Sequence, residues 1–161
     1  MTIALFAGSF DPITNGHLDI INSASKIFDK VVVAVAFNPN KKSFIPLEKR
    51  LELIKCATSG ILNVEVDFYE GLTVDYASKH DIQVLIRGVR SILDFDYEMN
   101  LANMNKKLNP NISTCVLFAS LENQSLSSSA VKEILLNNGD IKAFVPSCVY
   151  EYFLKQINEI N

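Results

Sequence analysis

Short apolar runs alternate along the chain with longer stretches in which apolar residues recur at helical spacing. The short runs are rich in β-branched residues, as at residues 31–35, and this composition predicts buried strands. Strands are predicted at residues 2–7, 30–37, 63–69, 82–86 and 113–119. Helices are predicted at residues 16–28, 72–80, 92–107, 128–137 and 146–157, and one more is predicted to carry Pro46 in its first turn.

The order of these elements predicts an α/β protein with a single domain over residues 1–161. Strands that alternate with helices are joined by right-handed crossovers, which make neighbouring strands parallel. We therefore expect a Rossmann-like fold, with a mainly parallel five-stranded sheet and helices on both of its faces. The run at 63–69 alternates apolar with acidic residues, so this strand is expected nearer a sheet edge.

The composition of the chain indicates which classes of partner are not expected. Its 161 residues are 48% hydrophobic and 20% charged, as in ordinary globular proteins. The formal net charge of −3 differs from the basic balance of nucleic-acid-binding proteins, so no nucleic acid partner is expected. Neither a signal peptide nor an apolar stretch of roughly 18 residues is visible, so no membrane partner is expected. The three cysteines match no zinc or disulfide spacing, which favours a cytoplasmic protein.

Four segments combine glycine, basic or hydroxyl residues with a position directly after a predicted strand. They are residues 8–10, 38–42, 87–90 and 120–129. Ligands of open parallel sheets bind beyond the carboxyl ends of the strands, where the strand order reverses. These segments are therefore expected to meet in one binding site.

Residues 8–17 have the features of a phosphate-binding strand, turn and helix start. Gly8 allows a tight turn and a close approach of a phosphate to the main chain. Thr14 and Asn15 are N-cap residue types, so His17 falls in the first helical turn, where free N–H groups and the helix dipole bind anions. A single histidine at a helix start is an ordinary surface residue about as often as it is a functional one. Its coincidence with the strand end and the glycine favours a functional role.

The other three segments carry groups that suit phosphate, each with a plainer alternative. Lys41 and Lys42 offer mobile ammonium groups, although most lysine pairs lie on a solvated turn. Arg87 and Arg90 flank a glycine, and their planar guanidinium groups are suited to bind phosphate oxygens. The alternative is a surface loop in which the two charges only increase solubility, and phosphate binding is favoured over it. Residues 125–129 are rich in serine, which can form an anion-binding nest but serves almost as often as a helix cap.

The order of these motifs resembles a known enzyme family. Residues 8–12 read Gly-Ser-Phe-Asp-Pro and residues 14–17 read Thr-Asn-Gly-His, which is similar to the T/H-x-G-H signature of nucleotidyltransferases. The motifs at 38–42, 87–90, 94–99 and 127–129 resemble those of bacterial phosphopantetheine adenylyltransferases. The resemblance covers nearly the whole chain, whereas the T/H-x-G-H element alone would indicate only the superfamily.

The resemblance implies transfer of the adenylyl group of ATP to 4′-phosphopantetheine, giving dephospho-coenzyme A and pyrophosphate in coenzyme A biosynthesis. It also implies Mg²⁺ with the ATP, coenzyme A as a further ligand, and a homohexamer. The physical account needs no covalent intermediate, because the acceptor phosphate can attack the α-phosphorus in line. The sequence contains no metal-ligand cluster, so Mg²⁺ is expected on phosphate oxygens and not in a protein cage.

The resemblance also assigns residues by position. The ATP-binding residues would be Ser9, Phe10, His17, Gly88, Val89, Arg90, Glu98, Asn123, Gln124, Ser125, Leu126, Ser127, Ser128 and Ser129. The acceptor would be held by Ser9, Lys41, Thr73 and Arg87, and the catalytic residues would be His17 and Lys41. Asn123 stands where the family usually has an aromatic residue. Two other interpretations stay open: a related transferase with another acceptor or nucleotide, and a nucleotide-binding module without catalysis.

Overall fold

Strands and helices alternate along the chain in the computed structural model, which describes residues 1–124 and 126–160. The elements are β1 (Ile3–Gly8), α1 (Asn15–Ser25), β2 (Lys30–Phe37), α2 (Leu47–Thr58), β3 (Val64–Glu70), α3 (Thr73–Lys79), β4 (Val84–Val89), α4 (Ile92–Leu108), β5 (Ser113–Phe118), α5 (Ser128–Leu136) and α6 (Ser147–Ile160). A short 3-10 helix, Leu121–Asn123, lies between β5 and α5.

The five described strands form one parallel sheet in the order β3-β2-β1-β4-β5. This arrangement confirms the predicted fold class. It also places β3 at an edge of the sheet, as its polar alternation predicted. The strand order reverses at β1, which has β2 on one side and β4 on the other. The carboxyl end of the β1–β4 pair is therefore the place where this fold binds ligands.

Helices cover both faces of the sheet. Successive side chains of a strand point to opposite faces, so each face has its own apolar core against which helices pack. Ala4 and Phe6 of β1 pack in a core that includes residues of α1, α2, α5 and α6. Leu5 and Ala7 of the same strand pack in a second core with residues of α3. The central strands are thus apolar on both faces, which is why their sequences read as continuous apolar runs.

The predicted end of β4 is wrong by three residues. The prediction ends this strand at Ile86, but the strand continues to Val89. Residues 87–89 pair with residues 116–118 of β5, so they belong to the sheet and not to a loop. Arg87 and Gly88 therefore have strand geometry, and only Arg90 follows the strand end.

Several helix boundaries also differ from the prediction by one to three residues, and those of α1 and α2 show why. Helix α1 ends at Ser25, whereas the apolar spacing extended it to residue 28. Pro46 is the N-cap of α2 and not a first-turn residue, because its ψ of 149° is extended. Both differences arise at helix ends, where local main-chain conformation decides and apolar periodicity carries little information.

Helix α4 has an unusually apolar surface. It is described over its whole length, and Glu98 is its one buried residue. Ile92 and Leu93 at its start are 87% and 83% exposed, and Phe118 at the end of the neighbouring β5 is 74% exposed. Despite such apolar helices, none in the described part of the chain is long and apolar enough to cross a membrane.

Candidate active site

A cavity of about 300 Å³ opens at the carboxyl edge of the sheet, where β1 lies beside β4. Its wall comes from the end of β1, the first turn of α1, the end of β4 and the start of α5. The switch in strand order explains why these distant segments meet. Among the residues predicted to bind a substrate, the cavity is lined by Ser9, Phe10, His17, Arg87, Gly88, Arg90, Leu126, Ser127, Ser128 and Ser129.

The turn after β1 is shaped by a buried aromatic ring. Phe10 has a φ of 45°, a left-handed conformation that is unusual for a residue other than glycine, and it is 1% exposed. A Cβ on Gly8 would lie 3.2 Å from this ring, so packing as well as chain direction requires glycine there. The buried ring of Phe10 packs under the turn, and the neighbouring Ser9 is exposed and lines the cavity.

His17 is held by a capping box at the start of α1. The hydroxyl of Thr14, the N-cap, accepts from the main-chain N–H of His17 at 3.4 Å. In return, the main-chain N–H of Thr14 donates to Nδ1 of His17 at 3.0 Å. Because a main-chain N–H can only donate, Nδ1 must accept, and the neutral ring carries its proton on Nε2.

The environment of His17 keeps its imidazole neutral. Burial, with the nearby positive charge of Arg90, lowers the pKa of His17 from 6.5 to about 4. The ring of Phe10 packs edge-on against it, with 5.1 Å between the centroids, and this contact restricts its orientation. A neutral and oriented N–H donor suits an anionic oxygen that gains charge during a reaction.

Arg90 ties the end of β4 to two other segments. Its Nε donates to Oδ2 of Asp94 at 3.0 Å, and its Nη1 donates to the main-chain oxygen of Leu126 at 2.7 Å. The Arg90 side chain is 34% exposed and lines the cavity. Its guanidinium can therefore contact an anion while it holds the loop that precedes α5.

Glu98 of α4 faces Arg87 of β4. Its carboxylate oxygens accept from Nε and Nη2 of Arg87 at 2.5 and 2.6 Å, a forked geometry that fixes the guanidinium plane. Glu98 is 7% exposed and is not among the described residues that line the cavity. Glu98 thus has Arg87 as its partner in this structure, and its contact with ATP stays a prediction.

Arg87 also borders a second, smaller cavity of about 90 Å³. This cavity lies on the face of the sheet that α3 and α4 cover, and Thr73 at the start of α3 lines it. The hydroxyl of Thr73 is 2.7 Å from the hydroxyl of Tyr69. Two residues predicted to hold the acceptor thus lie together, and Arg87 stands between the two cavities because it lines both.

The serines at the start of α5 divide between helix capping and the cavity. Ser127 is the N-cap and accepts from the N–H of Ala130 at 3.0 Å. Ser128 donates to the main-chain oxygen of Pro12 at 2.8 Å, which fastens α5 to the turn after β1. Ser129 is exposed at the cavity. The N-termini of α1 and α5 therefore border the same cavity, and both favour an anion.

The remaining predicted residues are not among the described residues that line this cavity. Lys41 is exposed on the segment between β2 and α2. Val89 is buried in β4. Asn123 ends the 3-10 helix before α5, and Gln124 follows it in an exposed position. Ser125 lies outside the described residues.

Arg50 of α2 belongs to the site although the sequence analysis did not predict it. It is 4% exposed, and its Nη1 donates to the main-chain oxygen of Ser9 at 2.8 Å. This contact supports the turn after β1, although Arg50 is not among the described residues that line the cavity. Arg50 follows Leu47 and precedes Ile54 at helical spacing, so a charged residue on the apolar face of a helix was the available signal.

Asp11 is the second residue that the prediction missed. It follows Phe10 in the turn, is 7% exposed, and accepts hydrogen bonds from the main-chain N–H groups of Phe44 and Ile45. Asp11 belongs to the Gly-Ser-Phe-Asp-Pro motif, but the motif gave it no role and did not indicate its partners at Phe44 and Ile45.

Comparison with known proteins identifies the family. A family model described as cytidylyltransferase-like matches residues 5–134. The phosphopantetheine adenylyltransferase of Clostridium kluyveri is 45% identical over 159 residues, which are 99% of this chain and 97% of the relative. That of Bdellovibrio bacteriovorus is 47% identical over 157 residues, which are 98% of each chain. The chain belongs to the phosphopantetheine adenylyltransferase family. This membership confirms the resemblance of the motifs and makes the chain a nucleotidyltransferase.

Solved structures of proteins with other names have the same fold as this member of the phosphopantetheine adenylyltransferase family. A Vibrio parahaemolyticus structure assigned as a nicotinate-nucleotide adenylyltransferase has a TM-score of 0.68 and 21% identity, and the match covers 96% of this chain and 99% of the other. A lipopolysaccharide core biosynthesis protein from Thermoplasma volcanium has a TM-score of 0.53 and 22% identity, and the match covers 74% and 97%. At such low identity, the likeness shows the fold alone.

Proposed function

We propose that the chain transfers the adenylyl group of ATP to 4′-phosphopantetheine, giving dephospho-coenzyme A and pyrophosphate. The relatives named phosphopantetheine adenylyltransferase match nearly the whole chain, which supports this choice of substrates. The acceptor phosphate would attack the α-phosphorus of ATP in line, and pyrophosphate would leave without a covalent enzyme intermediate. Such a reaction needs two polyanions to be aligned and their developing charge to be offset by fixed donors and cations.

The observation that carries the proposal is the neutral, oriented imidazole of His17 beside two helix N-termini. We assign its Nε2–H to an oxygen of the α-phosphate, together with free N–H groups of the first turn of α1. A hydrogen bond to this oxygen strengthens as negative charge grows in the transition state, so it accelerates the chemical step. Lys41 would supply a positive charge at the same phosphate.

The main cavity is assigned to ATP. Arg90 and residues 123–129 would hold the β- and γ-phosphates, because Arg90 already contacts that loop and lines the cavity. Ser9 and Phe10 would offer the main chain of the turn, and residues 88–89 of β4 would border the nucleotide. Both helix N-termini at this cavity support phosphate binding.

Arg87 is assigned to the phosphate of the acceptor. It lines both cavities, so a group bound to it would lie next to the nucleotide site. Thr73 of the second cavity, with Ser9 and Lys41, would complete the acceptor site. Glu98 would take part through its forked contact with Arg87, which fixes the guanidinium plane for a phosphate.

Mg²⁺ is proposed to enter with ATP. Among the side chains that the structure describes, no group of three or more His, Cys, Asp or Glu is placed to hold a metal ion. The cation would then be held mainly by phosphate oxygens of the nucleotide. When bound, Mg²⁺ would offset phosphate charge, while Arg90 and the helix N-termini orient the same phosphates.

A homohexamer in the cytoplasm is the proposed state of the protein. The exposed apolar side chains of α4 and Phe118 support self-association, because soluble monomers rarely leave such a patch uncovered. A further cavity of about 400 Å³ lies on this surface and is lined by Ile92, Phe95 and Phe118 among others. Six copies, and coenzyme A as a ligand, are expectations from family membership.

A transferase with another acceptor is the second candidate. The structural neighbour assigned as a nicotinate-nucleotide adenylyltransferase shows that this fold occurs with a different named activity. A nucleotide-binding module without catalysis is disfavoured, because His17, Arg87 and Arg90 all line one cavity.

Pyrophosphate release with different substrate pairs tests the proposal. The protein is incubated with ATP and 4′-phosphopantetheine, with ATP and nicotinate mononucleotide, and with CTP and 4′-phosphopantetheine. Pyrophosphate is expected in the first mixture, together with dephospho-coenzyme A identified by mass. Faster release in the second or third mixture would assign a different acceptor or nucleotide, and release in none would favour a non-catalytic module.

A further inference from the structure

A single buried carboxylate connects the turn after β1 with two distant segments. Asp11 directly follows Phe10 of the cavity wall and is 7% exposed. Its Oδ2 accepts from the main-chain N–H of Phe44, and its Oδ1 accepts from that of Ile45, each at 2.8 Å. Nζ of Lys132 on α5 lies 3.8 Å from Oδ2. Hydrogen bonds from N–H groups to a carboxylate are charge-assisted and therefore among the stronger ones in proteins.

The two N–H groups belong to the segment that carries Lys41. Residues 38–46 join β2 to α2 at the carboxyl edge of the sheet. Ile45 is 0% exposed and anchors the end of this segment in the core. Residues 38–42 are exposed, and the N–H of Lys41 bonds locally to the oxygen of Asn38 at 3.1 Å. Since Lys41 is three residues before Phe44, its Cα lies within roughly 11 Å of the anchored end.

We infer that Asp11 is a positioning residue for the transfer reaction, because its carboxylate holds the Lys41 segment against the turn that borders the cavity. The inference rests on the proposed role of Lys41 at the α-phosphate. A lysine ammonium is a point charge on a flexible stem, so its effect on a transition state depends on where its main chain is held. Release of the segment at Phe44 lets the ammonium spend less time near the phosphates.

The chemistry of the contact requires a carboxylate. An asparagine side chain has one accepting oxygen and one donating NH₂ group, so it can satisfy only one of the two N–H groups. The other N–H would face a donor and lose its hydrogen bond. Asp11→Asn therefore removes half of the anchor with almost no change of shape.

A double-mutant cycle tests whether Asp11 acts through Lys41. The kcat of the wild type, Asp11→Asn, Lys41→Ala and the double variant is measured with saturating ATP and 4′-phosphopantetheine, and the thermal unfolding of each is recorded. Each single change should lower kcat by about tenfold or more. In the Lys41→Ala background, Asp11→Asn should cost less than about twofold, because the group that it positions is gone.

The outcomes separate this inference from the proposed function. An equal loss in both backgrounds would overturn the inference, because Asp11 would then act on something other than Lys41. Normal turnover of Lys41→Ala would overturn the role of Lys41 and the inference together. Pyrophosphate release by the wild type decides independently whether the substrates are right.

Limited trypsin digestion gives a readout that does not depend on turnover. The bonds after Lys41 and Lys42 should be cut several-fold faster in Asp11→Asn than in the wild type. Asp29→Asn is the matched control, because Asp29 accepts from the N–H of Thr2 at the opposite, amino edge of the sheet. This control should leave cleavage and kcat unchanged. Equal cleavage in Asp11→Asn and the wild type would overturn the inference.

A second variant keeps the test available if Asp11→Asn does not fold. Phe44→Pro removes one of the two N–H donors and leaves the carboxylate of Asp11 in place. Phe44 is 42% exposed, so the change is less disruptive than one in the core. Its loss of kcat should also nearly vanish in the Lys41→Ala background, and additive losses would contradict the positioning role.

Discussion

The charge state of His17 makes the stability of the protein depend on pH. Its pKa is about 4 in the folded chain against 6.5 for the unperturbed group, so between these values the unfolded chain binds a proton that the folded chain does not. The free energy of unfolding should therefore fall as the pH is lowered from 6.5 toward 4. Below pH 4 this contribution should be constant. Urea unfolding at a series of pH values measures the change.

The matched control is His17→Gln. Glutamine at this helix position can also accept from the N-cap main chain in a capping box, but it does not titrate. Its free energy of unfolding should fall less steeply over the same pH interval. Equal slopes for the two proteins would show that the folded chain does not hold His17 neutral.

The guanidinium of Arg87 makes a forked contact with Glu98 and also lines both cavities. A lysine ammonium has no planar fork and cannot make both sets of contacts. Arg87→Lys should raise the KM for 4′-phosphopantetheine by about tenfold, since a charge-assisted hydrogen bond is lost. The KM for ATP should change less. Initial rates of pyrophosphate release with each substrate varied in turn measure both constants. An increase confined to the KM for ATP would reverse the assignment of Arg87 and Arg90.

At the scale of single residues, the sequence predicted which residues line the cavity but not the contacts that fix their side chains. The N-cap pattern predicted His17 in the first helical turn, and the structure agrees. Its tautomer depends on a main-chain contact that residue types do not specify. The contacts of Arg50 and Asp11 join residues more than thirty positions apart, so no local pattern could have shown them.

At the scale of elements, β4 passes close to α1 at Gly88. A Cβ on Gly88 would lie 3.0 Å from Cγ1 of Ile20, which is 3% exposed and enclosed by the core. Gly88→Ala should therefore lower the free energy of unfolding by about 1–3 kcal/mol, as overpacked cores do. Urea unfolding at neutral pH measures the loss.

Gly60→Ala serves as the control, because a Cβ at Gly60 meets no described atom within 4 Å. Its effect should stay within about 0.5 kcal/mol. The loss in Gly88→Ala should shrink when Ile20→Ala is added, since the contacted atoms are then absent. If Gly88→Ala were as stable as the wild type, the close packing of α1 on β4 would be wrong.

Element types were predictable because the apolar periods of helices and strands differ, whereas some element ends were not. The bounds of β2 agree with the prediction, since its apolar run stops at the strand end. The end of β4 does not, because Arg87 and Gly88 resemble loop residues in sequence. Their place in the sheet depends on pairing with β5, which lies about thirty residues away.

At the scale of the whole molecule, the apolar surface of α4 predicts self-association. Sedimentation analysis should give a mass six times the 17.9 kDa of one chain. Ile92→Asp places a charge on the exposed apolar surface and should lower this mass, because burying an unpaired charge opposes association. Leu62→Asp, at a fully exposed leucine before β3, should leave the mass unchanged. A wild type that sediments as a single chain would contradict the proposed hexamer.

The fold class was predictable because alternating elements constrain a parallel sheet to few arrangements. The expected meeting of the segments is confirmed for residues 8–10, for most of 87–90 and for residues 126–129, which line one cavity. Residues 38–42 are not among the described residues that line it. The position of this segment depends on the buried contacts of Asp11, which are set by tertiary packing.

The most direct test of the account is the turnover of His17→Ala with saturating ATP and 4′-phosphopantetheine. In the proposed mechanism, a neutral imidazole donates to the α-phosphate mainly in the transition state. The kcat should therefore fall by about a hundredfold to a thousandfold, as for other lost transition-state donors. Both KM values should change little. A variant with near-normal kcat would contradict the role of His17.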